Sequence, residues 1–138
     1  MNANASEPVL LALLFADRVI TEDNGKRGII GTFTKFFAQQ FPVVFPPWGI
    51  YICVTNLTPG DHEFTLELEF ADTSEKIMGV GGTIRVNNGA EPVEIGIPIP
   101  HAVFPREGRY ILLLRIGGDI VGSRPLWVDQ VPAQPPSV

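Results

Sequence analysis

Asp17, Arg18, Glu22, Asp23, Lys26 and Arg27 form the densest ionisable cluster in the sequence. Facing one cleft, such groups could exchange protons with a substrate or hold a metal ion. Their order speaks against both. Charges of opposite sign crowded into a short stretch usually pair weakly in solvent, and calcium ligation needs an oxygen-rich loop of fixed spacing that is missing here. The cluster is expected at a solvated strand end, with no metal.

The two histidines, His62 and His101, each stand beside a turn, with no second His, Cys or Glu at ligand spacing. Ser74 and Ser123 could approach them only through the fold, and no nucleophile elbow surrounds either serine. No catalytic residue is assigned. Gly79-Val80-Gly81-Gly82-Thr83 has the glycine content of a phosphate cradle, but such a loop must open a helix whose N-terminus meets the anion. Here Ile84-Arg85-Val86 continues as strand, so the glycines are expected at a bulge or a close backbone approach. Asn4-Ala5-Ser6 and Asn56-Leu57-Thr58 fit the glycosylation acceptor pattern, which is chance in a protein expected to stay inside the cell.

The segment from Phe41 to Trp48 offers recognition rather than catalysis. Phe41, Val43, Val44, Phe45 and Trp48 are interleaved with Pro42, Pro46 and Pro47, so the side chains are large and apolar while the backbone is stiff. A loop of this kind loses little entropy on binding. These five residues are the candidate interaction residues. The alternative is that Phe41, Phe45 and Trp48 fold back to cap one end of the core, because a lone domain rarely exposes so large an apolar patch.

The elements that must position these groups are strands. Pro8 to Ile20 is nearly continuously apolar, and Glu22-Asp23-Asn24-Gly25 makes a turn. Gly28 to Phe37 is rich in β-branched and aromatic residues and is expected as one strand. The three prolines of 41–48 exclude a central strand and leave a loop or edge. Trp48 to Leu57 resumes as strand. From His62 to Ala71, Phe64, Leu66, Leu68 and Phe70 alternate with Thr65, Glu67 and Glu69, so one face is buried and the other wet. Ile77 to Val86, Val93 to Ile99, Arg109 to Gly117 and Ile120 to Val128 follow, the last two joined by Gly117-Gly118-Asp119. Phe64, Leu66, Leu68, Phe70, Ile95, Ile97, Tyr110, Leu112 and Leu114 are expected in one core between two sheets.

Composition agrees. The chain has 138 residues, 45% hydrophobic and 18% charged, with 14 Gly and 13 Pro spread between the apolar runs. One domain over 8–131 is expected, with flexible termini at 1–7 and 132–138. The net charge of −5, with both signs intermixed, argues against nucleic acid, whose phosphates require clustered Lys and Arg. Val9 to Ala16 is too short to span a bilayer and follows no basic residue, so neither a membrane nor a signal segment is expected. Cys53 has no intrachain partner and lies in the apolar run Ile50 to Val54, which reads as a small buried hydrophobe in a reducing, cytoplasmic compartment.

Pro105-Arg106-Glu107-Gly108-Arg109-Tyr110, followed by a run of aliphatic residues, resembles the tyrosine corner before the penultimate strand of immunoglobulin-like domains. Leu14-Phe15-Ala16-Asp17, Gly31-Thr32-Phe33-Thr34, Phe41-Pro42, Pro47-Trp48, Tyr51 with Val54, and Tyr110 to Val128 are similar to a family of uncharacterised, mostly bacterial single-domain proteins. The resemblance implies an all-β, immunoglobulin-like Greek-key sandwich of about seven to nine strands in two antiparallel sheets. It assigns no role to any residue. The expected function is non-catalytic: an interaction or assembly module without cofactor, whose partner is a protein, the chain itself included, met through the aromatic-proline loop or a strand edge. The alternative is a small-ligand or carbohydrate binder using Trp48, Tyr51 or Trp127 as a stacking platform. A hydrolase ranks third.

Overall fold

In the computed structural model, which describes residues 7–133, strands follow one another along the whole length. They are β1 (Val9–Thr21), β2 (Arg27–Phe33), β3 (Lys35–Ala38), β4 (Val43–Val44), β5 (Trp48–Thr55) and β6 (Gly60–Phe70) in the first half. The second half holds β7 (Glu75–Val86), β8 (Val93–Ile99), β9 (Val103–Phe104), β10 (Gly108–Ile116) and β11 (Asp119–Gln130). The expected flexible termini, 1–7 and 132–138, lie almost wholly outside the described residues, as does Asn4-Ala5-Ser6.

Alternating apolar residues force two layers. One sheet has the order β2-β1-β5-β8, the other β3-β11-β10-β6-β7, and a short ladder joins β4 to β9. Phe64, Leu66, Leu68 and Phe70 on β6 face Tyr110, Leu112 and Leu114 on β10 within one core, against Phe15, Ile50, Ile52 and Val54 of the opposite sheet. Ile95 and Ile97, on the edge strand β8, pack on this core while remaining half-buried. The fold is an all-β, immunoglobulin-like sandwich with nine strands in its two main sheets.

The sequence leads one to expect two antiparallel sheets, but the five-stranded sheet contains one parallel pair, because β3 runs parallel to β11 with Val128 opposite Phe36 and Gln130 opposite Ala38. This follows from a second correction. Gly28 to Phe37 is not one strand: it breaks at Thr34 into β2 in one sheet and β3 in the other. Phe33 and Phe36 explain the break. Both rings turn towards Trp48, with centroids 6.0 and 5.6 Å from it. Residues an odd number apart in a continuous strand point to opposite faces, so the chain must kink between them for both to enter the core. β7 bears out the close approach expected of its glycines and not the bulge, since an added Cβ on Gly81 would lie 3.0 Å from the Phe64 carbonyl oxygen. Its bulge falls at Ile77, skipped between the pairs Leu68–Met78 and Glu69–Lys76, while the glycines lie in regular register. Gly82 lies under the Phe64 ring, where an added Cβ would come within 3.0 Å of it.

The tyrosine corner is present. Tyr110 is fully buried, and its hydroxyl donates to the Arg106 carbonyl at 2.5 Å. Arg106 in turn donates to Glu75 at 2.8 Å and lies 4.8 Å over the Phe70 ring. At Gly117 and Gly118 both φ angles are positive, which matches the tight two-residue turn whose twist suits a hairpin.

Past Ala16, β1 and β2 form an arm that folds across the outside of their own sheet. Val19 lands where Gly49 and Gly96 leave room: a Cβ on Gly96 would be 2.7 Å from Val19 Cγ1, and one on Gly49 3.4 Å from Val19 Cγ2. The arm accounts for the burial of Ala16 and Gly49 on the outer face of the sheet.

Candidate interaction surface

The loop singled out by its aromatic and proline content turns inward. Trp48 is buried beside Phe15, Phe33 and Phe36. Phe45 stacks on Phe36 with centroids 4.0 Å apart and meets the edge of Phe104 at 5.5 Å. Phe41 and Val43 are half-buried against the same core. Of the five candidate residues only Val44 is exposed, across the β4–β9 ladder from the exposed Val103. The physical reason is that one end of the sandwich lacks a strand to close it, and stacked rings held by prolines fill the gap.

The ionisable groups stay apart. Among the described residues, no ion pair joins members of the Asp17–Arg27 cluster, and no three His, Cys, Asp or Glu side chains converge. Asp17 and Arg18 line a cleft of about 360 Å³ beneath the arm, with Trp48 and Pro98. His62 is held locally, its Nε2 donating to the Thr58 carbonyl at 2.6 Å, and His101 is exposed. Neither is hydrogen-bonded to Ser74 or Ser123 among the described residues. Cys53 is half-buried rather than buried. It shares the outer side of β5 with Tyr51, while Ile50, Ile52 and Val54 take the core side. Tyr51 donates to Glu94; burial, reinforced by that carboxylate, pushes its phenol well above the usual range.

What the fold leaves in solvent is a different apolar surface. Of the nine Phe, two Trp and two Tyr, only Phe37 and Trp127 are exposed, at 60% and 38%. Alternation puts them on one face. On β3, Phe36 and Ala38 point inward and so Lys35 and Phe37 point outward; on β11, Leu126 and Val128 point inward and so Pro125, Trp127 and Asp129 point outward. The ladder sets Trp127 opposite Lys35 and Asp129 opposite Phe37, and Lys35 pairs with Asp129 at 3.1 Å. On β10 the outward residues are Arg109, Ile111, Leu113 and Arg115, with Arg109 opposite Trp127 and Ile111 opposite Pro125. Glu67 and Glu69 continue the face on β6, opposite Leu113 and Ile111. The apolar centre is therefore Trp127, Pro125, Ile111 and Leu113, with Phe37 at one margin and carboxylates at the other.

Trp127 is the platform residue that the sequence singled out and the fold leaves accessible; Phe37, Lys35 and Ile111 were not anticipated. The signal for Phe37 was its neighbour. Two adjacent aromatic residues in a strand face opposite sides, so once Phe36 enters the core Phe37 must leave it.

Glu67 anchors the acidic margin by pairing with both Lys76 and Arg115. The hydrogen bond from Lys76, aided by the charges of Lys76 and Arg115, holds its carboxyl below the ordinary value of 4.5 against the opposing effect of burial. A carboxyl depressed in the folded state adds stability above its unfolded pKa, and that stability is lost as pH falls through the folded value. Glu67→Gln should therefore melt below the parent protein near neutral pH, and the gap should close on acidification below about 4.5. A gap constant with pH would show that the ion pairs add nothing.

Among solved structures the chain is similar to the alkylpurine DNA glycosylase AlkC of Pseudomonas fluorescens bound to DNA containing an abasic site analog, with TM-score 0.50 and 9% identity over 90% of this chain. The chain spans 31% of that protein's length. It is also similar to an immunoglobulin-like protein from Pseudomonas aeruginosa, with TM-score 0.45 and 13% identity, covering 91% of this chain and 99% of the other. At these identities the glycosylase likeness concerns the fold alone. No curated protein matches the chain. A family model does, over residues 11–129, and the chain accordingly belongs to DUF6941, a family of unknown function.

Proposed function

We propose that the protein is a non-catalytic interaction module whose contact surface is the outer face of the five-stranded sheet. The observation that carries this reading is the placement of its only two exposed aromatic side chains, Phe37 and Trp127, on adjacent strands of that face, one ladder step apart. Aromatic residues on a flat, partly apolar surface are the usual anchors of protein contacts, and Trp127 lies at the end of an apolar run that continues through Pro125 and Ile111 to Leu113. DNA, which the glycosylase binds, is disfavoured because Lys35 is tied to Asp129 on this face and the net charge is −5.

The test is a photo-reactive amino acid placed at position 127, with position 32 as an exposed control on β2 of the other sheet. A discrete adduct formed in living cells at 127 and not at 32, identified by mass spectrometry, is the expected result. Absence of any adduct at 127 would remove the face from consideration.

A further inference from the structure

We propose that the occupant of this face is a second copy of the chain, packed sheet to sheet about a two-fold axis that runs along the strands between β10 and β11. The proposal rests on the reading of the face as an interaction surface and adds the partner. A two-fold contact requires a surface complementary to itself, and the strand order supplies one. Folding the face onto its copy about that axis lays β11 on β10 of the partner and β3 on β6 of the partner. Pro125 then meets Ile111 of the partner subunit. Trp127 meets Arg109 of the partner subunit, whose guanidinium and alkyl stem suit an indole face.

Charge follows the same operation. The β3 margin carries Lys35 and the β6 margin carries Glu67 and Glu69. Among the described residues Glu69 and Arg109 take part in no ion pair. Lys35, which pairs with Asp129 in its own chain and would have to exchange or share that partner, stands two residues along the strand from the position that would face Glu69 of the partner subunit. The lysine stem can span that offset. In this arrangement β7 has no counterpart and β3 is only four residues long, so with strands about 4.8 Å apart and about 3.3 Å per residue the overlapping sheet measures roughly 400 Å² in projection, the size of a weak dimer that forms with rising concentration.

Solution mass against concentration, by light scattering or sedimentation, tests the pairing. The parent chain should dimerise, and Trp127→Ser should weaken the dimer by about tenfold or more, as loss of a central anchor does. Lys35→Glu and Glu69→Lys should each weaken it by several-fold to about tenfold, through two symmetry-related like-charge contacts. Mixing these two charge variants is the decisive arm. In the mixed dimer both contacts become attractive again, so the mixture should associate within a few-fold of the parent although neither variant does so alone. Coupling within one chain cannot produce that recovery. Melting curves verify that each variant is folded.

A parent chain that stays monomeric, a dimer indifferent to all three substitutions, or a mixture without recovery would each overturn the pairing. Cross-linking at position 127 separates this failure from that of the underlying reading. An identified adduct with a different protein leaves the interaction face standing without self-association, whereas no adduct removes both.

Discussion

Replacing Phe104 with Ala should lower stability by about 3–5 kcal/mol and the melting midpoint by roughly 10–20 °C. Phe104 belongs to a two-residue strand, yet it is fully buried and joins the two halves of an aromatic chain. Its ring lies 5.8 Å from Phe36, 5.5 Å from Phe45 and 5.1 Å from Tyr110, which in turn meets Phe70 at 5.2 Å. The void cannot collapse easily. Pro42 and Pro46 restrict one side of the ladder, and the Tyr110 hydroxyl is committed to Arg106 on the other, so the cost should fall in the upper range for a core truncation. Val103→Ser, the exposed neighbour, should change stability by no more than about 0.5 kcal/mol. Thermal or urea melts of the two variants decide the matter. If Phe104→Ala melts with the parent protein, the aromatic end is an ornament and the sandwich is closed by something else.

Gly96→Ala should cost about 1–3 kcal/mol, although one methyl group is added to a half-buried strand position. Gly96 is not strained; its φ is not among the positive ones. The cost arises because the new Cβ would sit 2.7 Å from Val19 Cγ1 and 3.5 Å from an Arg27 Nη1, which lifts the arm off the sheet. Removing the opposing methyls should restore much of the loss. In the Val19→Ala background, Gly96→Ala should cost at least about 0.5–1 kcal/mol less than it does alone. Additive effects would mean that the arm does not rest on this glycine. Because the arm covers Ala16 and Gly49, the same variant should speed hydrogen exchange across β5.

The sandwich was readable because burial and alternation coincide in most strands. The run from Phe64 to Phe70 could have only one inward face, and Pro105 to Tyr110 specified its own corner. What escaped was everything that depends on which sheet a strand joins. Nothing local in Gly28 to Phe37 says that the chain changes layers at Thr34; only the shared destination of Phe33 and Phe36 requires it. The outer face of the five-stranded sheet escaped for the same reason, since only the strand order brings its members together. At 41–48 the prolines left a loop or edge, where Val43 and Val44 do pair briefly with β9, and the fold-back weighed as the alternative is what the structure shows, with rings from β1, β2, β3 and β9 meeting Phe45 and Trp48. Phe37, by contrast, lies in an ordinary-looking apolar run and reaches solvent only because its neighbour is needed inside.

The parallel pairing of β3 with β11 has a bearing on how the protein is made. The sheet that β3 joins is completed by the last strand of the fold, with Phe36 opposite Val128 and Ala38 opposite Gln130. During synthesis the early segment therefore waits for almost the entire remaining domain to leave the ribosome before it can take its place. For that interval the apolar stretch Val9 to Ala16 can pair with β2 and β5, but the opposing sheet still lacks β11, the strand of that layer that β1 meets, which is when strand-rich chains are most prone to aggregate. Nascent chains stalled before residue 119 should accordingly bind chaperones that recognise extended apolar segments, and release them once β11 has emerged.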